Sequence, residues 1–208
     1  MTIYSKVKRH ILLYAGNVTT FFSKIILYAN GVHFGEELRV RGHIKLHNDG
    51  MISLGSHVTI NSASWANPMA CAAYSCFQVS SGGILKIGNG VGISNTAITC
   101  QKEITIGDNV FIGAGCQIFD TDFHPLESKY RFGSTRNDNY TEKKVVIIED
   151  GAFIGTSSII LKGTHIGAGS VIGAGSVVHG NIPENQIWAG NPARFIRNIV
   201  SGDNEVIN

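Results

Sequence analysis

The 208-residue sequence predicts an all-β fold in which short strands wind into a triangular coil, and three observations carry that prediction. An aliphatic residue returns every six positions: Ile106, Ile112 and Ile118, then, after a break, Ile148, Ile154, Ile160, Ile166, Ile172 and Val178. This period matches neither the repeat of an amphipathic helix nor the alternation of a simple hairpin. A small or β-branched residue stands two places before many of these aliphatics, as at Val110, Cys116, Ala152, Ser158, Thr164, Ser170 and Ser176. The chain also holds 25 glycines against 4 prolines, which suits tight corners between short strands better than a disordered linker.

Each part of the repeat has a physical reason. The aliphatic points into the prism, the small residue fills the space beside it, and glycine or asparagine takes turn conformations that other residues resist. Stacked coils then bury a continuous column of Ile and Val, so each coil depends on its neighbours. A fully buried isoleucine contributes about 1.5 to 3 kcal/mol. A charge at Ile112 or Ile154 is therefore expected to unfold a coil.

Taken in order, residues 1–35 read as an N-terminal helical segment, 36–200 as the coil domain and 201–208 as a tail. The apolar runs at 11–14 and 21–28 are broken by polar residues and Gly16, and neither reaches the roughly 20 apolar residues that span a bilayer. Packing on the main body, or on a neighbouring subunit, is the favoured role. Interfacial membrane contact beside Lys6, Lys8 and Arg9 is the less favoured one. The stretches 54–61 and 87–94 keep the six-residue period. Between them 62–83, with Trp65, Pro68, Tyr74, Cys71 and Cys76, reads as a loop extruded from a corner. A second loop is expected around 123–146.

Charged residues make up 15% of the chain, the formal net charge is +2, and the 17 Lys and Arg are scattered, which argues against nucleic acid as a partner. The four cysteines form no C-x-x-C pair, so reduced thiols with packing roles in a cytoplasmic protein are expected.

The candidate chemistry lies where the repeat breaks, at Phe119-Asp120-Thr121-Asp122-Phe123-His124-Pro125-Leu126. His124 suits a general base, because an unperturbed imidazole, with a pKa near 6.5, can accept a proton at cellular pH, and Asp122 or Asp120 is placed to fix its tautomer. The loop that follows carries Tyr130, Arg131, Arg136, Asp138 and Tyr140, a polar and aromatic mixture suited to hydroxyl-rich ligands.

The repeat, the D-x-D-x-H-P segment at 120–125 and the ending Ala189-Gly190-Asn191-Pro192-Ala193-Arg194 together resemble the hexapeptide-repeat acyltransferases. They resemble in particular the branch that acetylates sugar hydroxyls, with the maltose and galactoside acetyltransferases and the polysaccharide O-acetyltransferases. The likeness covers about residues 38–200. It implies a left-handed parallel β-helix, a hand that ordinary crossover rules would not give. It also implies a homotrimer, acetyl-CoA as donor with no metal, a sugar or glycan acceptor, and His124 as the base. By the same resemblance Gly155, Thr156, Ala174, Arg194 and Arg197 contact coenzyme A, and Ser94, Asn95 and Arg131 face the acceptor. Two positions depart from the pattern: Phe153 stands for the usual tryptophan, and His179-Gly180 for a threonine-lysine pair.

The expected function is therefore acetyl transfer from acetyl-CoA to a sugar hydroxyl in surface-polysaccharide biosynthesis, with amino-sugar N-acylation as the nearest competitor. A zinc hydro-lyase on the same prism needs three converging histidines. A non-catalytic scaffold would have no reason to break its repeat beside His124.

Overall fold

The computed structural model describes residues 3–67, 74–132, 134 and 136–199. The expected tail, with Pro68 and Cys71 of the first loop, lies outside the described residues. Strands of two to six residues alternate with turns, and each strand pairs in parallel with the strand three places further along the chain. Glu103–Ile106, for example, lies between Ile84–Ile87 and Val146–Ile148. Three sheets form the faces of a left-handed parallel β-helix, as expected.

The hexapeptide aliphatics stack in register. On one face Val40, Ile60, Ile93, Ile112, Ile154, Ile172 and Trp188 follow one another coil by coil, and all but Trp188 are buried. The neighbouring columns run from Leu54 through Ile106 and Ile148 to Ile182, and from Leu46 through Phe77 and Ile118 to Val178. Close stacking dictates the glycine after the aliphatic: a Cβ on Gly155 would lie 2.5 Å from the backbone nitrogen of Ala174. Asn109 turns its corner with φ +56°, the left-handed conformation that asparagine tolerates better than most.

The small residue two places earlier does more than fill space. Ser158 Oγ donates to the carbonyl of Gly155 at 2.8 Å, Thr164 Oγ1 to Leu161 at 2.6 Å, Ser170 Oγ to Pro183 at 2.7 Å and Ser176 Oγ to Gly173 at 2.6 Å. These buried hydroxyls satisfy corner carbonyls that would otherwise face an apolar interior.

One stretch differs from the sequence reading, and the second loop lies where it is expected. The region 62–83 is not one loop, because Cys76–Val79 is a strand paired with Lys45–Asn48 and Ala97–Cys100. Phe77 and Val79 are fully buried there, and their alternation with Cys76 and Gln78 is the coil pattern without its glycine. The second loop leaves after Gln117–Phe119 and returns at Val146–Ile148 without loss of register, Ile106 pairing with Ile148. It is internally organised, with a helical turn Ser128–Arg131 (α2), a 3-10 turn Asp138–Tyr140, and a bridge between Thr121 and Lys143.

The N-terminal segment is one helix, α1, over Ile3–Ala29, and the first strand of the prism is already His33–Phe34. α1 lies along Arg39–Gly42, the outermost strand of its face, with Gly16, Ser23 and Leu27 buried between them. The free edge of that strand bonds to helix side chains: Val40 N donates to Thr20 Oγ1 at 2.9 Å, Gly42 N to Thr19 Oγ1 at 3.2 Å, and Thr19 Oγ1 donates to Val40 O at 2.9 Å. At the other end Gln186–Gly190 folds back on Ala193–Asn198 as an antiparallel pair.

Candidate active site

The segment 119–126 leaves the prism through a strained turn. His124 N donates to Asp122 O at 2.7 Å across Phe123, whose φ is +63°. A γ-turn centred on positive φ is the rarer, higher-energy kind, and a bulky aromatic seldom occupies it. The surroundings hold it there. Phe119 and Phe123 pack at 5.2 Å between ring centroids, Phe123 N donates to Thr121 Oγ1 at 3.1 Å, and Thr121 and Pro125 are buried. His124 itself is exposed, so the imidazole stands outside the prism on a pinned backbone.

The two aspartates beside it serve different ends. Asp120 is fully buried and caps a corner, Oδ1 accepting from Gln101 N at 2.8 Å and Oδ2 from Lys102 N at 2.7 Å. Its carboxylate also lies 3.5 Å from Cys100 Sγ, and burial first, then this negative charge, pushes the Cys100 thiol up to about 12. Asp122 is linked to His124 through its backbone, while its carboxylate sits 3.4 Å from Lys162 Nζ. Lys162 also pairs with Glu142, and Lys144 reaches the other oxygen of Glu142 at 2.7 Å. Those two lysines, Lys144 foremost, hold the Glu142 carboxyl down to about 2, and Lys162 is in turn raised, chiefly by Glu142. Lys144, Lys162 and Asp122 line a cleft of about 340 Å³ with Phe119, Leu161 and His179.

The cleft joins positions far apart in sequence, and it takes in His179-Gly180, where the sequence departs from the family pattern. Lys162, Glu142 and Lys144 escaped the sequence reading. Their one signal was Leu161-Lys162-Gly163, a corner where the repeat admits a lysine instead of a small polar residue.

The loop is clamped by its own side chains. Tyr130 and Tyr140 stack at 3.9 Å with planes 9° apart, Lys129 sits 4.6 Å over the Tyr130 ring, and Arg131 lies 5.8 Å from the Phe132 ring. Arg136 donates to Asp138 at 3.0 Å. This bond first, with a smaller contribution from the charge of His124, holds the Asp138 carboxyl below its ordinary value. The loop that carries Arg131 thus reaches the surroundings of His124.

Ser94 and Asn95 lie one coil earlier and are buried, Asn95 turning the corner with φ +42° and Ser94 Oγ accepting from Asn61 Nδ2 at 3.4 Å. Gly155 is buried under Ala174, whereas Thr156 is half-buried and Ala174 exposed. Arg194 and Arg197 are exposed on the closing strand, where each donates to a main-chain carbonyl and, among the described residues, makes no ion pair. Phe153 and Phe111 stack in register on the outer face, both exposed.

Comparison with known proteins supplies the relationship. The hexapeptide repeat of succinyl-transferase matches residues 103–118 and 145–179. The galactoside O-acetyltransferase of Escherichia coli is 33% identical over 146 residues, 70% of this chain and 66% of that protein. A hexapeptide-repeat acetyltransferase of Vibrio cholerae, solved with acetyl-CoA, is 33% identical over 62% of this chain and 70% of its own, with a TM-score of 0.53. An N-acyltransferase of Bacillus cereus shares the fold more completely, covering 86% of this chain and 89% of its own at a TM-score of 0.69, with 21% identity. Against several other curated relatives the chain spans about half their length. A prism built on stacked hexapeptides, matched in sequence on both sides of its loop, makes this chain a member of the hexapeptide-repeat acetyltransferase family.

Proposed function

We propose that the protein transfers an acetyl group from acetyl-CoA to a sugar hydroxyl, as a cytoplasmic homotrimer acting in surface-polysaccharide biosynthesis. The observation that carries this reading is His124, held outside the prism by a γ-turn at the point where the longer of two loops breaks the hexapeptide series. A thioester already has a good leaving group, so the poor nucleophilicity of the alcohol is what needs help. The imidazole of His124 takes the hydroxyl proton as the sugar oxygen attacks the thioester carbonyl. The C–S bond then breaks, and the proton passes to the departing sulfur. A backbone N–H of a neighbouring coil turn stabilises the oxyanion between those steps. Arg194 and Arg197 supply charge for the phosphates of coenzyme A. Arg131 and the polar loop face the acceptor, and Asp122, tied to Lys162, fixes the turn from which His124 projects.

The test is thiol release from acetyl-CoA across a panel of sugars and glycans, with the acetylated atom identified in each product. Release that depends on a hydroxyl acceptor and falls about 10²- to 10⁴-fold in His124→Ala is expected. Unchanged turnover in that variant, or acetylation only of amino groups, overturns the reading.

A further inference from the structure

Helix α1 is attached to the prism by a narrow strip and leaves its opposite side bare. At about 100° per residue, Gly16, Ser23 and Leu27 share the buried side. Val7, Ile11, Tyr14, Val18, Phe21, Ile25 and Tyr28 fall along the far side, and all are exposed, Tyr14 by 74% and Tyr28 by 80%. Phe22 and Ile26 widen this face toward a hollow of about 540 Å³ edged by Trp65 and Tyr74. A soluble monomer seldom shows so long an apolar stripe without a partner.

Charge selects the partner. The 27 residues of α1 contain no Asp or Glu, while Lys6, Lys8 and Arg9 stand in the first turns and Lys24 near the end. On the helical projection Lys8 and Lys24 flank the apolar face on opposite sides. Lysines at both margins of a stripe rich in tyrosine and phenylalanine match a surface with an apolar interior and anionic headgroups. A second copy of the helix would bring like charges together with no acidic residue in α1 to pair them.

Neither apolar run spans a bilayer alone, but the helix is continuous across Gly16, and His10–Ala29 as a whole is long and apolar enough to cross one by length and composition, with a mean hydropathy of 1.3. A crossing helix would have lipid on every side, yet Thr19 and Thr20 are hydrogen-bonded to Val40 of the prism. We infer that α1 lies in the plane of an anionic membrane, its outward stripe sunk in the headgroup layer and the prism standing on the aqueous side.

The experiment is vesicle flotation of the full chain at 0.1 M salt, on phosphatidylcholine containing a quarter phosphatidylglycerol and on phosphatidylcholine alone. Binding to the anionic vesicles that weakens in 0.5 M salt is expected. Phe21→Glu/Ile25→Glu should lower it at least 10-fold with the helical circular dichroism unchanged, since both positions point away from the prism. Lys8→Gln/Lys24→Gln should lower it by roughly 5-fold per lysine on anionic vesicles only. A wild-type chain that stays with the soluble fraction, or a lysine variant that binds as before, overturns the inference. So does a Phe21→Glu/Ile25→Glu variant whose assembly mass falls while vesicle binding persists; that result gives the stripe to a second copy of the chain.

Discussion

Replacing Ile154 by alanine tests the stacked core most directly. The side chain is fully buried and lies in register between Ile112 and Ile172. Three carbons leave the interior, a loss of about 2.5 kcal/mol at roughly 0.8 kcal/mol for each. The coil cannot collapse into the space. Phe153 and Gly155 donate to the coil above at 2.9 and 2.8 Å, and Phe111 and Gly113 donate into this one from below at 3.0 and 2.8 Å. A void of roughly 70 Å³ at about 24 cal/mol per Å³ adds about 1.7 kcal/mol, so a total near 4 kcal/mol is expected. Ile182 provides the contrast. It is equally buried but sits on the last strand of its face, with a neighbour on one side only, so Ile182→Ala should cost about 2 kcal/mol. Urea unfolding at one fixed protein concentration measures both. A loss below about 1 kcal/mol for Ile154→Ala, or equal losses at the two sites, would refute a rigid and cooperative column.

Three further outcomes follow from local contacts. Thr20→Val removes the acceptor for Val40 N on the outermost strand and should lower stability by about 1 to 3 kcal/mol; a midpoint within error of wild type would show that water replaces the hydroxyl freely. Glu142 has its carboxyl depressed in the folded state to about 2, so its stabilising effect is full above the ordinary glutamate value and is lost as pH falls through that value toward 2. The melting temperature of Glu142→Gln should accordingly decline less than that of the wild type between pH 5 and 2, and parallel declines would exclude the lysine pairs as the cause. Cys100, with its thiol pushed to about 12, should remain unmodified by iodoacetamide at pH 8 in the folded protein, as should buried Cys116; adducts seen by mass spectrometry would show that the coil opens there.

Much of this fold is legible in the sequence because its contacts are local in register. Once Ile148, Ile154 and Ile160 mark three successive faces, Ile166 must stack on Ile148, and the pairing of the two is observed. The reading failed where the period loses its markers. Cys76–Val79 keeps the small residue, buried Ser75 two places before Phe77, but an aromatic takes the aliphatic's place and no glycine follows it, although the buried alternation is intact. The candidate site was legible only in part for a related reason. His124 is conspicuous at a break in the series, but the partners of Asp120 and Asp122 are set by how far a long loop travels before it returns. The pairing of Asp122 with Lys162 spans two coils and the whole loop, and no spacing rule announces it. The hydroxyls of Thr19 and Thr20 were equally silent, since a threonine in a helix ordinarily signals nothing about a strand edge.

Those two threonines bear on a question that a repeating column poses about its own length. Coils stacked about 4.8 Å apart, each offering upward the same donors and acceptors it receives from below, contain no instruction to stop. A naked terminal coil is a template for the next molecule, and head-to-tail filaments are its natural product. Here the terminal strand Arg39–Gly42 meets a helix instead of another chain, and the closing strand Ala193–Asn198 runs antiparallel to its neighbour, breaking the direction that growth would need. The same repeat that makes the prism easy to build is thus kept finite by its two least repetitive segments.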